Sequence, residues 1–265
     1  MAEKLTVIKV SGKIVENPDA LKVFIRQLGK IEGRKIIIHS AAQLANTIAS
    51  KLGNNVAEAN GRPVIDTNAF NAYTMVYAGL VNKQLVALLQ GRKLNAVGLT
   101  GADLNIITSA KQAGAPNGAT GNVKQVNAAT LSLLIDHGVV PVIAPFSHDG
   151  KGQILFNETD AMAAEVSKAL AARYDVTLIY CFTRNGVLLN VQDPDSVVPH
   201  LRRTQYKALR EMEIIKDWFA NKVDNSFSAI DHGVNEVVIT SAAGLGNPKQ
   251  GTHIKPSKKT PVAKG

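Results

Sequence analysis

Leu5-Thr6-Val7-Ile8-Lys9-Val10, followed at once by Ser11-Gly12, is an apolar strand with an ammonium group near its carboxyl end. Such a group is costly on a buried strand unless an anion or a carboxylate meets it there. Lys9 therefore reads either as a phosphate-binding lysine or as a solvated edge residue whose stem packs on apolar neighbours. Position alone leaves both readings open, and the rest of the chain has to choose. Outward from this strand, short β-rich runs alternate with helical patterns. Residues 20–28 read as a helix, 35–39 as a strand, 41–52 as a helix, 68–89 as a long helix and 95–100 as a strand. The second half repeats the theme with a strand at 139–143, a helix at 158–173, a strand around Leu178, a helix at 217–230 and a strand at 236–240. This alternation is the pattern of a parallel sheet flanked by helices, and the fold class is α/β.

Composition narrows the function. At 265 residues, with 45% hydrophobic and 19% charged residues, the chain is an ordinary globular protein of one large domain or two lobes. No run approaches the roughly 18 apolar residues of a membrane span, and the opening strand leaves no room for a signal peptide, so a cytoplasmic protein is expected. The lone Cys181, inside Val176-Thr177-Leu178-Ile179-Tyr180-Cys181-Phe182, reads as a small buried hydrophobe. The formal charge is +9, yet Lys255, Lys258, Lys259 and Lys264 crowd the last eleven residues, and 255–265 reads as a basic disordered tail. Aromatic residues make up 5% and no basic run is interleaved with them, which argues against nucleic acid as a partner. Residues 110–121 read as a flexible loop, and the Pro, Ser, His, Asp and Gly cluster at 145–151 marks a boundary between lobes 1–150 and 151–254. There is no GxxxxGK[ST], no GxGxxG after a strand, and no HExxH or CxxC, so a P-loop, a classical dinucleotide fold and a metal site are unsupported.

Four stretches carry a resemblance: IKVSGK from Ile8 to Lys13, MVYAGLVNKQLVALL from Met75 to Leu89, AVGLTGADLN from Ala96 to Asn105, and KVDNSFSAIDHGVNEVVIT from Lys222 to Thr240. With Gly251-Thr252 near the end, they resemble the acetylglutamate kinases of the amino-acid kinase family. The resemblance implies a three-layer αβα sandwich with a mainly parallel sheet, an amino-terminal lobe for the acyl-amino acid, a carboxyl-terminal nucleotide lobe and a homodimer. It implies transfer of the γ-phosphoryl of ATP, carried with Mg2+, to the side-chain carboxylate of N-acetylglutamate, a step of arginine biosynthesis. By the same resemblance, Lys9 and Lys222 stabilise charge on the transferring group while Asp160 holds the two ammonium groups. Gly12 and Gly186 fall at nucleotide-binding positions, and Ser40, Ala41, Arg62 and Phe156 at substrate positions. Read from the residues alone, Asn157-Glu158-Thr159-Asp160 simply starts a helix with Asn157 as its cap, and Lys222 is an exposed helix lysine.

The chain departs from the family pattern at several motifs that the resemblance assigns to one site. A glycine-rich HGGGR-like turn is replaced by His39-Ser40-Ala41-Ala42-Gln43, in which Ser40 and Gln43 have capping-box spacing. Pro63 falls where the family has an arginine for the substrate's α-carboxylate, with Arg62 adjacent. Phe156 and Glu158 stand at two asparagine positions, and Asp217-Trp218-Phe219 replaces a GGM-type turn. Two functions are compatible with this pattern: a kinase of N-acetylglutamate or a related acylated amino acid, and a catalytically impaired homologue acting as a structural or regulatory partner.

Overall fold

The computed structural model describes residues 2–54, 57–59, 62–64, 67–114 and 119–256. The strands are β1 (Lys4–Val10), β2 (Arg34–His39), β3 (Ala57–Ala59), β4 (Arg62–Val64), β5 (Ala96–Thr100), β6 (Ile107–Lys111) and β7 (Thr120–Val126). They continue with β8 (Val140–Ala144), β9 (Phe146–His148), β10 (Ile154–Asn157), β11 (Asp175–Phe182), β12 (Glu236–Ser241) and β13 (Thr252–Ile254). The helices are α1 (Gly12–Val15), α2 (Pro18–Leu28), α3 (Ala42–Lys51), α4 (Thr67–Thr74), α5 (Asn82–Gln90), α6 (Ala128–Asp136), α7 (Thr159–Leu170), α8 (Arg203–Glu211) and α9 (Asp217–Asp231).

Seven strands form one sheet in the order β13-β12-β11-β1-β2-β8-β5, parallel throughout except for β13, which runs antiparallel on the edge. The opening strand is central. It pairs with β11 on one side, Lys9 opposite Tyr180, and with β2 on the other, Lys9 opposite Ile38. Alternation along β1 divides the core: Leu5 and Val7 face the layer of α6, α7 and α9, whereas Ile8 and Val10 face α2, α3 and α5. The result is the expected three-layer αβα sandwich. Local chemistry sets the helix starts: Pro18 opens α2 at its first turn, and Asn17 Oδ1 accepts from the Asp19 and Ala20 amides. The long helix read from the sequence is a compound of α4, a π-helical stretch over Met75–Val81, and α5. Tyr73 and Tyr77 project from it into the core, fully buried. Such widened turns recur near functional sites.

Beside the sheet, β6, β7, β9 and β10 close a small barrel. Its interior polar groups are mutually satisfied: Ser147 Oγ donates to Asn157 Oδ1 at 2.6 Å and lies 2.7 Å from Ser109 Oγ, and Asn157 Nδ2 donates to Ser109 Oγ and to the Gly121 carbonyl, both at 2.8 Å. The barrel corrects the reading of 110–121 as a loop. Ala110 and Lys111 belong to β6, Gly121 belongs to β7, and Lys111 pairs with Gly121 across the hairpin, with 115–118 outside the described residues. The mostly polar, glycine-containing Thr120–Val126 run hid a strand, because what the barrel requires at Gly121 is the absence of a side chain. A Cβ there would lie 2.9 Å from both Leu155 Cβ and Ser109 Cβ.

Candidate active site

Lys9 lies on the face of β1 that meets α7, and Asp160 stands in the first turn of that helix. The Lys9 ammonium is 2.8 Å from Asp160 Oδ1, and the Lys222 ammonium, brought in by α9, is 2.5 Å from Oδ2. All three side chains are largely withdrawn from water, 9% exposed for Lys9, 7% for Lys222 and 14% for Asp160, so two cations share one carboxylate in a poorly solvated place. Burial alone would raise the Asp160 pKa, but Lys222 and then Lys9 override it and hold the carboxyl well below the ordinary carboxylate range. Burial pushes the Lys222 ammonium down from its usual value, against the opposing pull of Asp160. Lys222 also sits over the Tyr180 ring, 4.6 Å from its centroid, and the Tyr180 hydroxyl donates to the Asp160 carbonyl at 3.0 Å. The sequence reading joined Lys9, Asp160 and Lys222, and these three meet in space. The reading of Lys222 as an exposed helix lysine is corrected, and so is the capping role of Asn157. Asn157 lies inside the barrel, and the cap of α7 is Glu158, whose carboxylate accepts from the Asp160 amide at 2.9 Å and the Ala161 amide at 2.7 Å.

The turn after β2 does not form the expected capping box. Ala41, buried, is the residue before α3, and no side chain of the turn caps the helix. Instead Glu16, at the end of α1, reaches across, and its carboxylate accepts from the Leu44 amide at 2.9 Å. Ser40 Oγ turns away from the helix and lies 3.5 Å from the Tyr77 hydroxyl. Gly12 allows this junction: a Cβ on it would stand 3.3 Å from Glu16 Oε1 and 3.4 Å from the Ala42 nitrogen. Gly12, Ser40 and Ala41 are thus neighbours. Phe156, on β10, closes an aromatic group with Tyr73, Tyr77 and Phe146, its ring 5.4 to 5.7 Å from each of theirs. His39 is fully buried beside this group, and burial drives its pKa down to about 3, so the ring is neutral. Arg62 and Pro63 lie on β4, opposite β3, with side chains outside the described residues.

Gly186 is placed apart from these, on the wall of a cavity of about 290 Å³ that Arg184, Gln192, Lys216 and Phe219 also line. A Cβ on Gly186 would lie 2.6 Å from Thr252 Oγ1, so a glycine is required for packing alone. The Asp217-Trp218-Phe219 segment forms the first turn of α9, and Phe219 is buried with its ring 5.5 Å from that of Phe182. Phe182 in turn faces the Lys222 ammonium at 5.9 Å, which links the cavity to the charged cluster. Tyr180 and Phe182 escaped the sequence reading, although they occupy alternate positions on one strand, and Tyr180 is the register partner of Lys9.

A parallel sheet that presents two lysines and a carboxylate at one end is a scaffold for handling phosphate. The amino acid kinase family model matches residues 4–241, and the chain belongs to that family. Within it, the chain is similar to the acetylglutamate kinase of Phocaeicola vulgatus, 46% identical over 257 residues covering 96% of this chain and all of that protein. It is 45% identical over 257 residues to the enzyme of the same name from Bacteroides thetaiotaomicron, again covering 96% of this chain and all of that protein. Identity to the acetylglutamate kinase of Cytophaga hutchinsonii is 39% over 246 residues, which cover 92% of this chain and 93% of that one. Among solved structures, N-acetylglutamate synthase from Neisseria gonorrhoeae matches with a TM-score of 0.78 at 20% identity, over 96% of this chain and 60% of that one. Carbamate kinase from Giardia lamblia matches with a TM-score of 0.67 at 14% identity, over 97% of this chain and 99% of that one. These two structures share the fold.

Proposed function

We propose that this chain transfers the γ-phosphoryl group of MgATP to the side-chain carboxylate of N-acetyl-L-glutamate, or of a closely related acylated amino acid, as a step of arginine biosynthesis. The observation that carries the reading is the buried Lys9–Asp160–Lys222 cluster, set in a chain 46% identical to an acetylglutamate kinase. The chemistry asks little else of the protein. A carboxylate oxygen attacks the γ-phosphorus, the bond from that phosphorus to the bridging oxygen breaks, and the electron pair leaves on ADP. The acceptor is already ionised at neutral pH, so no general base is needed, and catalysis rests on positioning and on positive charge where charge shifts. Lys9 and Lys222 supply that charge and Asp160 fixes their positions. Mg2+ arrives with the nucleotide: among the described residues no group of three or more carboxylate, histidine or cysteine side chains stands ready to hold a cation.

In this reading Gly186 lies on the nucleotide side of the cluster, with Gly12 at the junction between the two ligands. Ser40, Ala41 and Phe156 border the acceptor, and Arg62 is the candidate partner of its α-carboxylate. Residues 1–150 form the acyl-amino-acid lobe and 151–254 the nucleotide lobe, with 255–265 a basic tail. A second copy of the chain covers the helix face on which Met75, Leu80 and Leu88 are 55%, 45% and 42% exposed, giving a homodimer. The protein works in the cytoplasm; no helix among the described residues is long and apolar enough to cross a membrane.

Calorimetric titration with MgATP and with N-acetyl-L-glutamate, followed by an assay of ADP release, tests the reading. Heat from both ligands and turnover that disappears in Lys9→Ala, with thermal unfolding preserved, is the expected outcome. Binding of MgATP without N-acetyl-L-glutamate would move the acceptor to another acylated amino acid. No heat from either at millimolar concentration, or full activity in Lys9→Ala, would refute it.

A further inference from the structure

The charge count of the cluster is complete only when Glu158 is included. Lys9 and Lys222 bring two positive charges, and Asp160, which touches both, returns one negative charge. Two residues before Asp160, at the mouth of α7, the Glu158 carboxylate places one oxygen on the Asp160 amide and the other on the Ala161 amide. These are the free N–H groups that a helix offers to an incoming anion. Here they are taken by a side chain of the same protein. Both carboxylate oxygens accept, which favours the ionised form, while burial and the Asp160 charge push the other way and raise its pKa above the usual value. Lys9 and Lys222 both feel this charge as an attraction. The two ammonium groups therefore have Asp160 in direct contact and a second carboxylate, Glu158, fixed at the adjoining helix terminus, which is already filled.

We infer that Glu158 is a resident counter-anion, a positioning residue that neutralises the lysine cluster and occupies the α7 terminus, and thereby sets how tightly the site holds a polyphosphate. The inference rests on the reading of this cluster as the phosphoryl-transfer site, and it adds what limits that site's affinity. An arriving phosphate must meet a cluster whose positive charge is already offset and is repelled by the fixed carboxylate at the α7 terminus, a repulsion that the poor solvation of the place leaves strong. Removing that charge leaves a net positive cluster, whereas shortening the side chain without removing the charge does not.

The test uses inorganic tripolyphosphate as the probe, because it carries neither a nucleoside nor the acylated acceptor. Binding to the full chain is measured by calorimetry for the natural protein, Glu158→Gln and Glu158→Asp, and the binding scored is the part abolished by adding Lys222→Met. Thermal unfolding of each variant checks that the fold is kept. Glu158→Gln is expected to bind about tenfold or more tightly than the natural protein, and Glu158→Asp to stay within about twofold of it. Equal affinity in Glu158→Gln, or an equal gain in Glu158→Asp, would overturn the inference, the second because side-chain size and not charge would then be the cause. Failure of the functional reading is separate: a natural protein that does not phosphorylate N-acetyl-L-glutamate refutes that reading and leaves the tripolyphosphate comparison to decide this one.

Discussion

Replacing Asp160 by Asn removes one negative charge and keeps nearly the same shape, so it isolates the electrostatics of the cluster. Lys9 and Lys222, 9% and 7% exposed, would then share a place with little water and no carboxylate between them. Breaking a buried ion pair by removing one partner costs about 3 to 5 kcal/mol, because the surviving charge stays desolvated. Here two charges survive. Glu158 remains nearby as a partial counter-charge, which places Asp160→Asn near the lower end, at about 3 kcal/mol. Equilibrium urea unfolding at pH 7 reads this as a fall in midpoint of about 1 M or more for a slope of 1 to 3 kcal/mol per molar. Adding Lys222→Met to Asp160→Asn removes one of the stranded cations and should recover half or more of the loss. A single variant within about 1 kcal/mol of the natural protein, or a double variant less stable than the single, would show that the cluster is better solvated than its burial indicates.

His39 gives a second handle. Its pKa falls to about 3 in the fold from an ordinary 6.5, so its contribution to stability is whole above about pH 6.5 and shrinks as the pH drops towards 3. The slope is about 1.4 kcal/mol per pH unit for one proton, and it should be absent from the unfolding free energies of His39→Gln between pH 6 and 4.5. Gly121→Ala should lower stability by about 1 to 3 kcal/mol, since its Cβ would press on Leu155 and Ser109 at 2.9 Å; an unchanged thermal midpoint would mean that the barrel yields freely. Asn157→Leu should cost about 2 kcal/mol or more by stranding the Ser109 and Ser147 hydroxyls, and Asn157→Leu with Ser109→Ala and Ser147→Ala should recover part of it.

The sheet was legible because its strands are buried on both faces and so appear as largely apolar runs, Leu178 to Phe182 and, interrupted only by Lys9, Val7 to Val10 among them. The barrel was not, because Thr120–Val126 is mostly polar with a glycine at its second position and looks like a turn-rich connection. Helices α6 and α8 were passed over between stronger patterns. At the site, the family resemblance joined Lys9, Asp160 and Lys222, whereas the residues alone gave only a lysine on an apolar strand, a helix-start acid and a helix lysine. What the order of residues could not give was the cross-chain capping. The Ser40 and Gln43 spacing suggested a local box, yet the carboxylate on α3 comes from Glu16, 28 residues before the amide it accepts from. Likewise Asn157 had the better capping side chain by propensity, but the barrel claimed it, and the cap passed to Glu158.

The place of β1 between β2 and β11 also bears on how the chain is made. During synthesis the first strand finds β2 within a few dozen residues, but its other neighbour exists only after Asp175 to Phe182 has emerged. Until then the edge of β1 that will meet β11 carries unpaired backbone donors and acceptors along a mainly apolar stretch, and closing it requires one of the longest-range pairings among the described strands. Acquisition of the structure is therefore tied to the late arrival of β11, and a nascent chain stalled before residue 175 is left with an open, sticky margin beside the very lysine on which the site depends.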